Sequence, residues 1–197
     1  MSSVNNYKIK FISILIISLI SISACTTKSD TTSAEALINA SNKTLNILKN
    51  RSDLNKFNSQ LRTAAGVAIF PSVYKAGFFA GAEGGNGILI NKKSDGNWGY
   101  PAFYTLASGS WGLQFGGQKS GVIFIISSPG AVEALLQNQG KLSAGMNVAL
   151  GNAGTGLEGA ITTNLGADII AYSDSKGLFT GVALKGSAII RRNDLNA

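Results

Sequence analysis

The sequence contains no histidine and only one cysteine, Cys25, among its 197 residues. Without histidine, the chain cannot supply a Ser-His-Asp or Cys-His catalytic group, or an imidazole ligand for a metal ion. A single cysteine also excludes a disulfide bond within the chain, even in a compartment that would allow one. These absences remove several common classes of enzyme and metalloprotein, and we expect no metal site.

The apolar run at residues 11–22 is interrupted only by serines and follows a short basic region that contains Lys8 and Lys10. It is shorter than the about 20 apolar residues that a membrane-spanning helix needs. A basic start, a short apolar core and small residues after it are typical of a cleaved signal peptide. We therefore expect residues 1–24 to be removed and the protein to be exported.

Cys25 follows Ile22, Ser23 and Ala24, and small side chains directly before a lone cysteine resemble the lipobox of bacterial lipoproteins. This resemblance implies covalent acyl chains on Cys25. One acyl chain gives marginal membrane binding, whereas the two or three chains of a lipoprotein anchor stably. By the same resemblance, the residue after the cysteine influences the destination. It is Thr26 and not an aspartate, which favours transfer to the outer membrane, with the protein facing the periplasm. A free thiol left by ordinary signal cleavage is the alternative.

One folded domain is expected after the anchor. Residues 25–33 are rich in threonine and serine, so they are predicted to form a flexible spacer. Residues 34–197 remain, which is enough for one domain with a sizeable core and too few for two ordinary ones.

Positive charge is concentrated in one segment. Of 17 basic residues, removal of Lys8 and Lys10 leaves 15, which against 10 acidic residues gives a net charge of +5. Residues 43–62 hold five of these basic residues and a single acid, Asp53. The lipid-binding candidates of this segment are Lys43, Lys49, Arg51, Lys56 and Arg62, and further candidates are Lys75, Lys92 and Lys93.

Export determines what such a basic segment can bind. It removes nucleic acid as a partner and leaves anionic phospholipid headgroups as the natural acidic surface. The alternative is a solvated helix face without a binding role.

Helical patterns occur twice. Apolar residues at helical spacing predict a helix over residues 33–48, and the pattern continues after the polar residues 49–53, so that either a second helix begins at Ser52 or the first resumes. Ser128 as N-cap, Pro129 at the first helical position and Gly140 as the stop predict an internal helix.

Short runs rich in β-branched and aromatic residues, separated by glycine, predict about ten strands. Asp95 and Gly96 form a hairpin-turn signal between two of them. Strands so close in sequence favour an α+β fold with an antiparallel curved sheet or barrel. The predicted strands are residues 67–70, 78–80, 88–90, 98–106, 111–115, 122–126, 144–150, 160–165, 169–172, 178–184 and 187–191.

Three separated blocks of glycine and apolar residues occur in a fixed order. The opening block comprises residues 66–71, 75–77 and 81–84, the central block residues 101–104 and 109–116, and the closing block residues 167–169, 172–173 and 176–182. Together these blocks resemble the SYLF domain family. Lys185 and Asp174 depart from the charges expected near the closing block.

The resemblance implies a lipid-binding module that is not an enzyme and needs no cofactor. In some fungal members it also implies actin binding, which an envelope location sets aside. A structural envelope protein that binds a protein partner or peptidoglycan remains the alternative, because a lipid anchor alone would explain the location.

Two motifs resemble those of a cofactor-binding site and of a serine enzyme, but the residues around each motif do not fit that function. Residues 154–159 spell the dinucleotide-binding GxGxxG pattern, but β-branched residues follow where a helix is required. Ser72 and Lys75, with residues 119–121, resemble the motifs of penicillin-binding enzymes, in which lysine activates serine. The third motif of those enzymes is incomplete at residues 173–175 and out of order, so a serine/lysine envelope hydrolase is the weaker alternative.

Overall fold

Three helices and seven strands form the part of the chain that the computed structural model describes, namely residues 30–77, 80–111, 116–137, 148–150, 168–174 and 187–196. The helices are α1 (Asp30–Lys49), α2 (Phe57–Thr63) and α3 (Pro129–Gln137). The strands are β1 (Gly66–Gly77), β2 (Ala80–Asn91), β3 (Ala102–Trp111), β4 (Gly116–Ile126), β5 (Val148–Leu150), β6 (Ile169–Ser173) and β7 (Ala188–Arg191).

The strands form one sheet in the order β5-β6-β4-β1-β2-β3-β7. The described pairs are antiparallel, except that β5 pairs with β6 in parallel. The predicted α+β class with a curved, largely antiparallel sheet is therefore confirmed. Among the described pairs, β5–β6 is the one departure from the antiparallel pairing that the sequence favours. Residues 151–168 separate β5 from β6, which is the length of chain that a parallel connection requires.

The C-terminal half of β4 is buried on both faces, because helices cover the sheet from both sides. On one face, Leu48 of α1 and Phe57 of α2 belong to the same core as Ile123. On the other face, Val132 of α3 belongs to the same core as Phe124. Successive side chains of a strand point to opposite faces, so a strand covered on both sides reads as a continuous apolar run.

A bulge interrupts β1 near Pro71 and Ser72, where its register shifts against both neighbouring strands. Pro71 has no backbone N–H for the ladder, and a bulge is one of the few places where a strand within a sheet tolerates proline. Two glycines of β2 face this bulge. A Cβ atom at Gly85 would lie 2.2 Å from the carbonyl oxygen of Ser72, and one at Gly87 would lie 2.3 Å from that of Ile69.

These close approaches explain why two strands are longer than predicted. The predicted strand 67–70 is the first part of β1, and 88–90 is the end of β2, which includes the glycine-rich residues 81–87. Glycine weakens the sequence signal for a strand, although here it permits the backbones to meet. The strand predicted over 98–106 begins later, at Ala102, because residues 92–100 form a hairpin tip.

Several predicted elements lie outside the described residues. These are the strands at 160–165 and 178–184, parts of those at 78–80, 111–115 and 144–150, the GxGxxG motif, Gly140 and Cys25.

The helices largely follow the predictions. Helix α1 begins at Asp30, three residues before the predicted start, and α2 is a separate helix, which answers the question left open by the sequence. Helix α3 begins at Pro129, and the hydroxyl oxygen of Ser128 accepts a hydrogen bond from the Ala131 N–H at 3.2 Å, as an N-cap does. Within the described ranges, no helix has both the length and the apolar character needed to cross a membrane.

Candidate functional site

Helix α2 packs on the sheet through one side and leaves the other side in solvent. Phe57 is fully buried and meets the Tyr172 ring edge to face, with ring centroids 4.9 Å apart. Leu61, one turn later, packs against the same core. Because positions one turn apart share a face, the outward positions, including Arg62, are exposed.

A hydrogen bond ties the middle of α2 to β6. The hydroxyl of Tyr172 donates to the side-chain oxygen of Gln60. Burial raises the pKa of the Tyr172 phenol to about 12. The buried phenol therefore stays neutral at ordinary pH and can serve as a donor that fixes α2 to the sheet.

Contacts at both ends of α2 bring other basic residues to it. The side-chain nitrogen of Asn58 donates to the carbonyl oxygen of Lys49 at 3.0 Å, so the end of α1 lies against the first turn of α2. At the other end, Nζ of Lys92 donates to the carbonyl oxygen of Arg62 at 2.7 Å. With Lys56 directly before α2 and Lys93 directly after Lys92, they form a group of basic residues that we call the basic strip. Its residues are Lys49, Lys56, Arg62, Lys92 and Lys93, of which all but the half-buried Lys92 are exposed.

The hairpin tip, residues 92–100, connects β2 to β3 at one end of the basic strip. Nζ of Lys92 lies 5.3 Å from the ring centroid of Trp98, and Nζ of Lys93 lies 5.6 Å from that of Tyr100. Both distances allow a cation–π interaction. The aromatic residues are nevertheless accessible, since Trp98 is 42% exposed and Tyr100 is 89% exposed.

The turn of this tip matches the sequence prediction. Gly96 has a φ of 82°, and its N–H donates to the carbonyl oxygen of Lys93 at 3.0 Å. The Lys93 N–H donates to the carbonyl oxygen of Asn97 at 2.8 Å, and a carboxylate oxygen of Asp95 accepts from the Asn97 N–H at 2.9 Å. A left-handed glycine at the end of a three-residue loop is typical of such hairpins.

Arg51, a predicted lipid-binding candidate, has local partners instead of an open surface. Its guanidinium pairs with the carboxylate of Asp53 and donates to the carbonyl oxygen of Ser173 at 3.1 Å. The hydrogen bond with Asp53 raises the pKa of Arg51 and lowers that of Asp53. Arg51 therefore ties the connection between α1 and α2 to the end of β6.

Lys75 lies apart from the strip, and Lys43 precedes it on α1. Nζ of Lys75 lies 2.9 Å from a carboxylate oxygen of Glu83, whose side chain is only 6% exposed. Alternation along β1 puts Lys75 on the same face as Val73, which belongs to the core beneath α3. Lys43 is exposed on α1, about two turns before Lys49. The lipid-binding role of each candidate stays a prediction.

Asp174, one of the two departures from the family pattern, has a structural contact. Its carboxylate accepts a hydrogen bond from the Gly121 N–H at 2.6 Å, and its own N–H donates to the Gly121 carbonyl oxygen at 3.0 Å. A Cβ atom at Gly121 would lie 2.7 Å from the other carboxylate oxygen. Lys185 lies outside the described residues.

Two residues proposed for serine chemistry have structural contacts of their own. The Lys75 ammonium contacts Glu83, and the Ser72 carbonyl lies against Gly85 within the bulge. Among the described residues, no group of three or more potential side-chain ligands could hold a metal ion.

Comparison with known proteins gives the family. The family described as "Las17-binding protein actin regulator", Ysc84, matches residues 107–197. The human protein "SH3 domain-containing YSC84-like protein 1" is 39% identical over 135 residues, which is 68% of the chain. The chain belongs to the SYLF domain family. The resemblance noted in the three sequence blocks is thereby confirmed.

Other relatives of this SYLF chain show similar identity. The Xenopus laevis protein of the same name is 36% identical over 135 residues, and "LAS seventeen-binding protein 3" of Saccharomyces cerevisiae is 35% identical over 140 residues. The chain spans 39% of the human relative and 30% of the yeast one. The family description and the yeast name refer to binding or regulation, and none of the printed names gives a catalysed reaction.

Sequence reasoning found the basic residues of the site but missed the aromatic ones. The strand predicted over residues 98–106 includes both Trp98 and Tyr100, and the sequence analysis gives neither residue a binding role. The available signal was the presence of two aromatic residues within five positions of the Asp95–Gly96 turn, where a packed core cannot easily form.

Proposed function

We propose that this SYLF protein is a bacterial lipoprotein that is held at the cell envelope by acyl chains on Cys25. Its domain binds the anionic phospholipid surface through the basic strip and catalyses no reaction. The outer membrane, facing the periplasm, is the proposed location. The apolar run at residues 11–22 and the small residues before Cys25 support the export and acylation parts of this proposal.

The observation that carries the lipid-binding part is the basic strip. Its five cations lie on or beside α2, and few acidic residues are close to them in sequence. Between Glu35 and Glu83 the only acid is Asp53, which pairs with Arg51, and between Glu83 and Glu133 the only acid is Asp95. The strip therefore presents a net positive surface suited to anionic headgroups.

The expected strength of this contact is modest. A lysine or arginine near an anionic membrane contributes about 1 kcal/mol, and the attraction falls off within a Debye length. Five such residues would contribute a few kcal/mol at most by this rule. The acyl chains provide the stable attachment, and the strip would orient the domain against the bilayer.

A protein partner is the second candidate function. The matching family is described as an actin regulator that binds Las17, and the yeast relative is named for binding the same protein. These names attribute protein binding to the family and to that yeast protein. For this chain, a partner in the envelope would be bound without any requirement for anionic lipid.

The anchor is tested by Cys25→Ser in the native host. We expect the variant to leave the membrane fraction in a high-salt wash, because the strip alone is weakened by salt. Retention of the variant in the membrane fraction under that wash would show that acylation of Cys25 is not the attachment.

The strip is tested on protein that begins at residue 25 and carries Cys25→Ser, so that no acyl chain forms. Every described element lies between residues 30 and 196 and is retained in this protein. Charge reversal of Lys49 and Lys56 to glutamate should weaken binding to vesicles containing phosphatidylglycerol by about tenfold or more. Neither ammonium belongs to a salt bridge found among the described residues, so the melting temperature should change little.

The matched control reverses Lys119 and Arg191 to glutamate, which changes the net charge equally. Both residues are exposed, on β4 and β7 respectively. If the control pair weakens vesicle binding as much as the strip pair does, net charge and not the strip governs binding.

A further inference from the structure

The hairpin tip exposes two large aromatic residues that the basic strip alone does not require. Tyr100 is 89% exposed and Trp98 is 42% exposed. Each ring has a lysine ammonium within 6 Å of its centroid, at 5.3 Å for Trp98 and 5.6 Å for Tyr100. The tip is thus a compact group of aromatic and cationic side chains at one end of the strip.

The tip is held in shape by its own backbone. The Lys93 N–H bonds to the Asn97 carbonyl oxygen at 2.8 Å, and the Gly99 N–H bonds to the Asn91 carbonyl oxygen at 2.8 Å. Lys92 and Trp98 form a β-bridge across the hairpin. Because these contacts order the tip before anything binds, insertion of the rings would cost little conformational entropy.

The chemistry of this group fits the boundary between lipid headgroups and acyl chains. Tryptophan and tyrosine concentrate at that boundary because one part of each ring system is apolar and another part forms hydrogen bonds. A lysine beside them can keep its ammonium among the headgroup phosphates while its methylene groups lie deeper. Arg62, Lys92 and Lys93 against Asp95 leave this end of the strip positively charged, which selects an anionic bilayer over a neutral one.

We propose that Trp98 and Tyr100 insert into the interfacial layer of an anionic bilayer, while the basic strip lies along the headgroups. This inference rests on the proposed function and adds the mode and orientation of binding. The β2–β3 hairpin would point at the membrane. Lys75 and Glu83 are directly paired in the ladder, and nine residues along β2 at about 3.3 Å each would put this pair about 30 Å from the tip.

Trp98 itself can report the insertion. The protein beginning at residue 25, with Cys25→Ser and Trp111→Phe, retains Trp98 as its single tryptophan. It is mixed with vesicles of phosphatidylcholine and phosphatidylglycerol in which the phosphatidylcholine carries bromine on its acyl chains, either close to the headgroup or deep. We expect blue-shifted Trp98 emission, stronger quenching by the shallow bromines than by the deep ones, and protection from acrylamide in solution.

Affinity gives the second readout, with a matched control. Trp98→Ala combined with Tyr100→Ala should weaken binding to the same vesicles by about tenfold, because two partly buried rings are lost from the interface. Tyr74→Ala is the control, since Tyr74 is 58% exposed and lies 5.5 Å from the ammonium of Lys119, far from the tip on β1. Its vesicle affinity should match that of the parent.

The outcomes separate this inference from the proposed function. If the protein binds the vesicles but Trp98 stays open to acrylamide and escapes bromine quenching, the inserted tip is wrong and the strip stands. The same conclusion follows if the variant with Trp98→Ala and Tyr100→Ala binds the vesicles as tightly as the parent. It would also follow if that variant kept its vesicle affinity but lost binding to a protein partner. If the parent does not bind anionic vesicles at all, the proposed function fails and the inserted tip fails with it.

Discussion

At the scale of single residues, the hydrogen-bond partners of a basic side chain show whether it has a structural role or is available at the surface. Arg51 and Lys49 are two positions apart and equally basic in sequence, yet Arg51 bonds to Asp53 and to the Ser173 carbonyl oxygen, whereas the Lys49 side chain is exposed. Removing Arg51 would leave a carbonyl and a carboxylate without their donor, so its substitution would mix folding with binding effects. For this reason the strip is tested at Lys49 and Lys56.

Tyr172 gives a prediction about pH. Its phenol has a pKa of about 12 in the folded protein and an ordinary value of 10.0, so the unfolded chain loses this proton first. The stability that this group contributes is complete below pH 10.0 and is lost as the pH rises through about 12. Between those pH values, the free energy of unfolding measured with denaturant should therefore fall less steeply with pH in Tyr172→Phe than in the parent.

Tyr100→Phe is the matched control for this measurement, because Tyr100 is 89% exposed. The free energy of unfolding of this variant should change with pH as that of the parent does. If the free energy of unfolding falls as steeply with pH in Tyr172→Phe as in the parent, the burial of this phenol does not contribute to alkaline unfolding.

At the scale of elements, the bulge of β1 and the glycines of β2 form one unit. Gly87 allows the backbone of β2 to approach the carbonyl oxygen of Ile69, where a Cβ atom would lie at 2.3 Å. Backbone atoms cannot move aside as a flexible side chain can. The close approach therefore requires glycine at this position.

Gly87→Ala should lower the melting temperature, because relief of this clash must shift two paired strands and overpacking costs about 1–3 kcal/mol. By the usual scaling this corresponds to a drop of several degrees, at about 2–4 °C for each kcal/mol. Gly109→Ala on β3 is the control, since a Cβ atom there would meet nothing within 4 Å. Equal melting temperatures for Gly87→Ala and the parent would show that the bulge adapts.

Elements with strong local signals could be predicted from sequence, and those that depend on a partner strand could not. The cap at Ser128 and the turn at Gly96 follow from local chemistry, and both are present. The extent of β2 depends on the bulge in β1, and the glycines of β2 weaken the sequence signal for a strand there. The parallel pairing of β5 with β6 depends on which strands become neighbours, which periodicity does not encode.

At the scale of the whole molecule, the site is made by contacts between distant segments. Sequence alone gives eight basic candidates in the domain, but Lys49 and Lys92 become neighbours of α2 only through Asn58 and through the carbonyl of Arg62. The same fold commits Lys75 to Glu83 on a different face. Charge composition therefore indicates an acidic partner, whereas the fold selects the surface that would meet it.

On the proposed function, the domain itself recognises anionic lipid, apart from any acyl chain. The most direct test is co-flotation of the protein that begins at residue 25 and carries Cys25→Ser with vesicles of two compositions, at increasing salt. We predict binding to vesicles containing phosphatidylglycerol at low salt and none to phosphatidylcholine alone. Binding should decline as the Debye length shrinks from about 10 Å at 0.1 M to about 3 Å at 1 M. Equal binding to both compositions, binding that salt does not weaken, or no binding to either would show that the domain does not recognise anionic lipid.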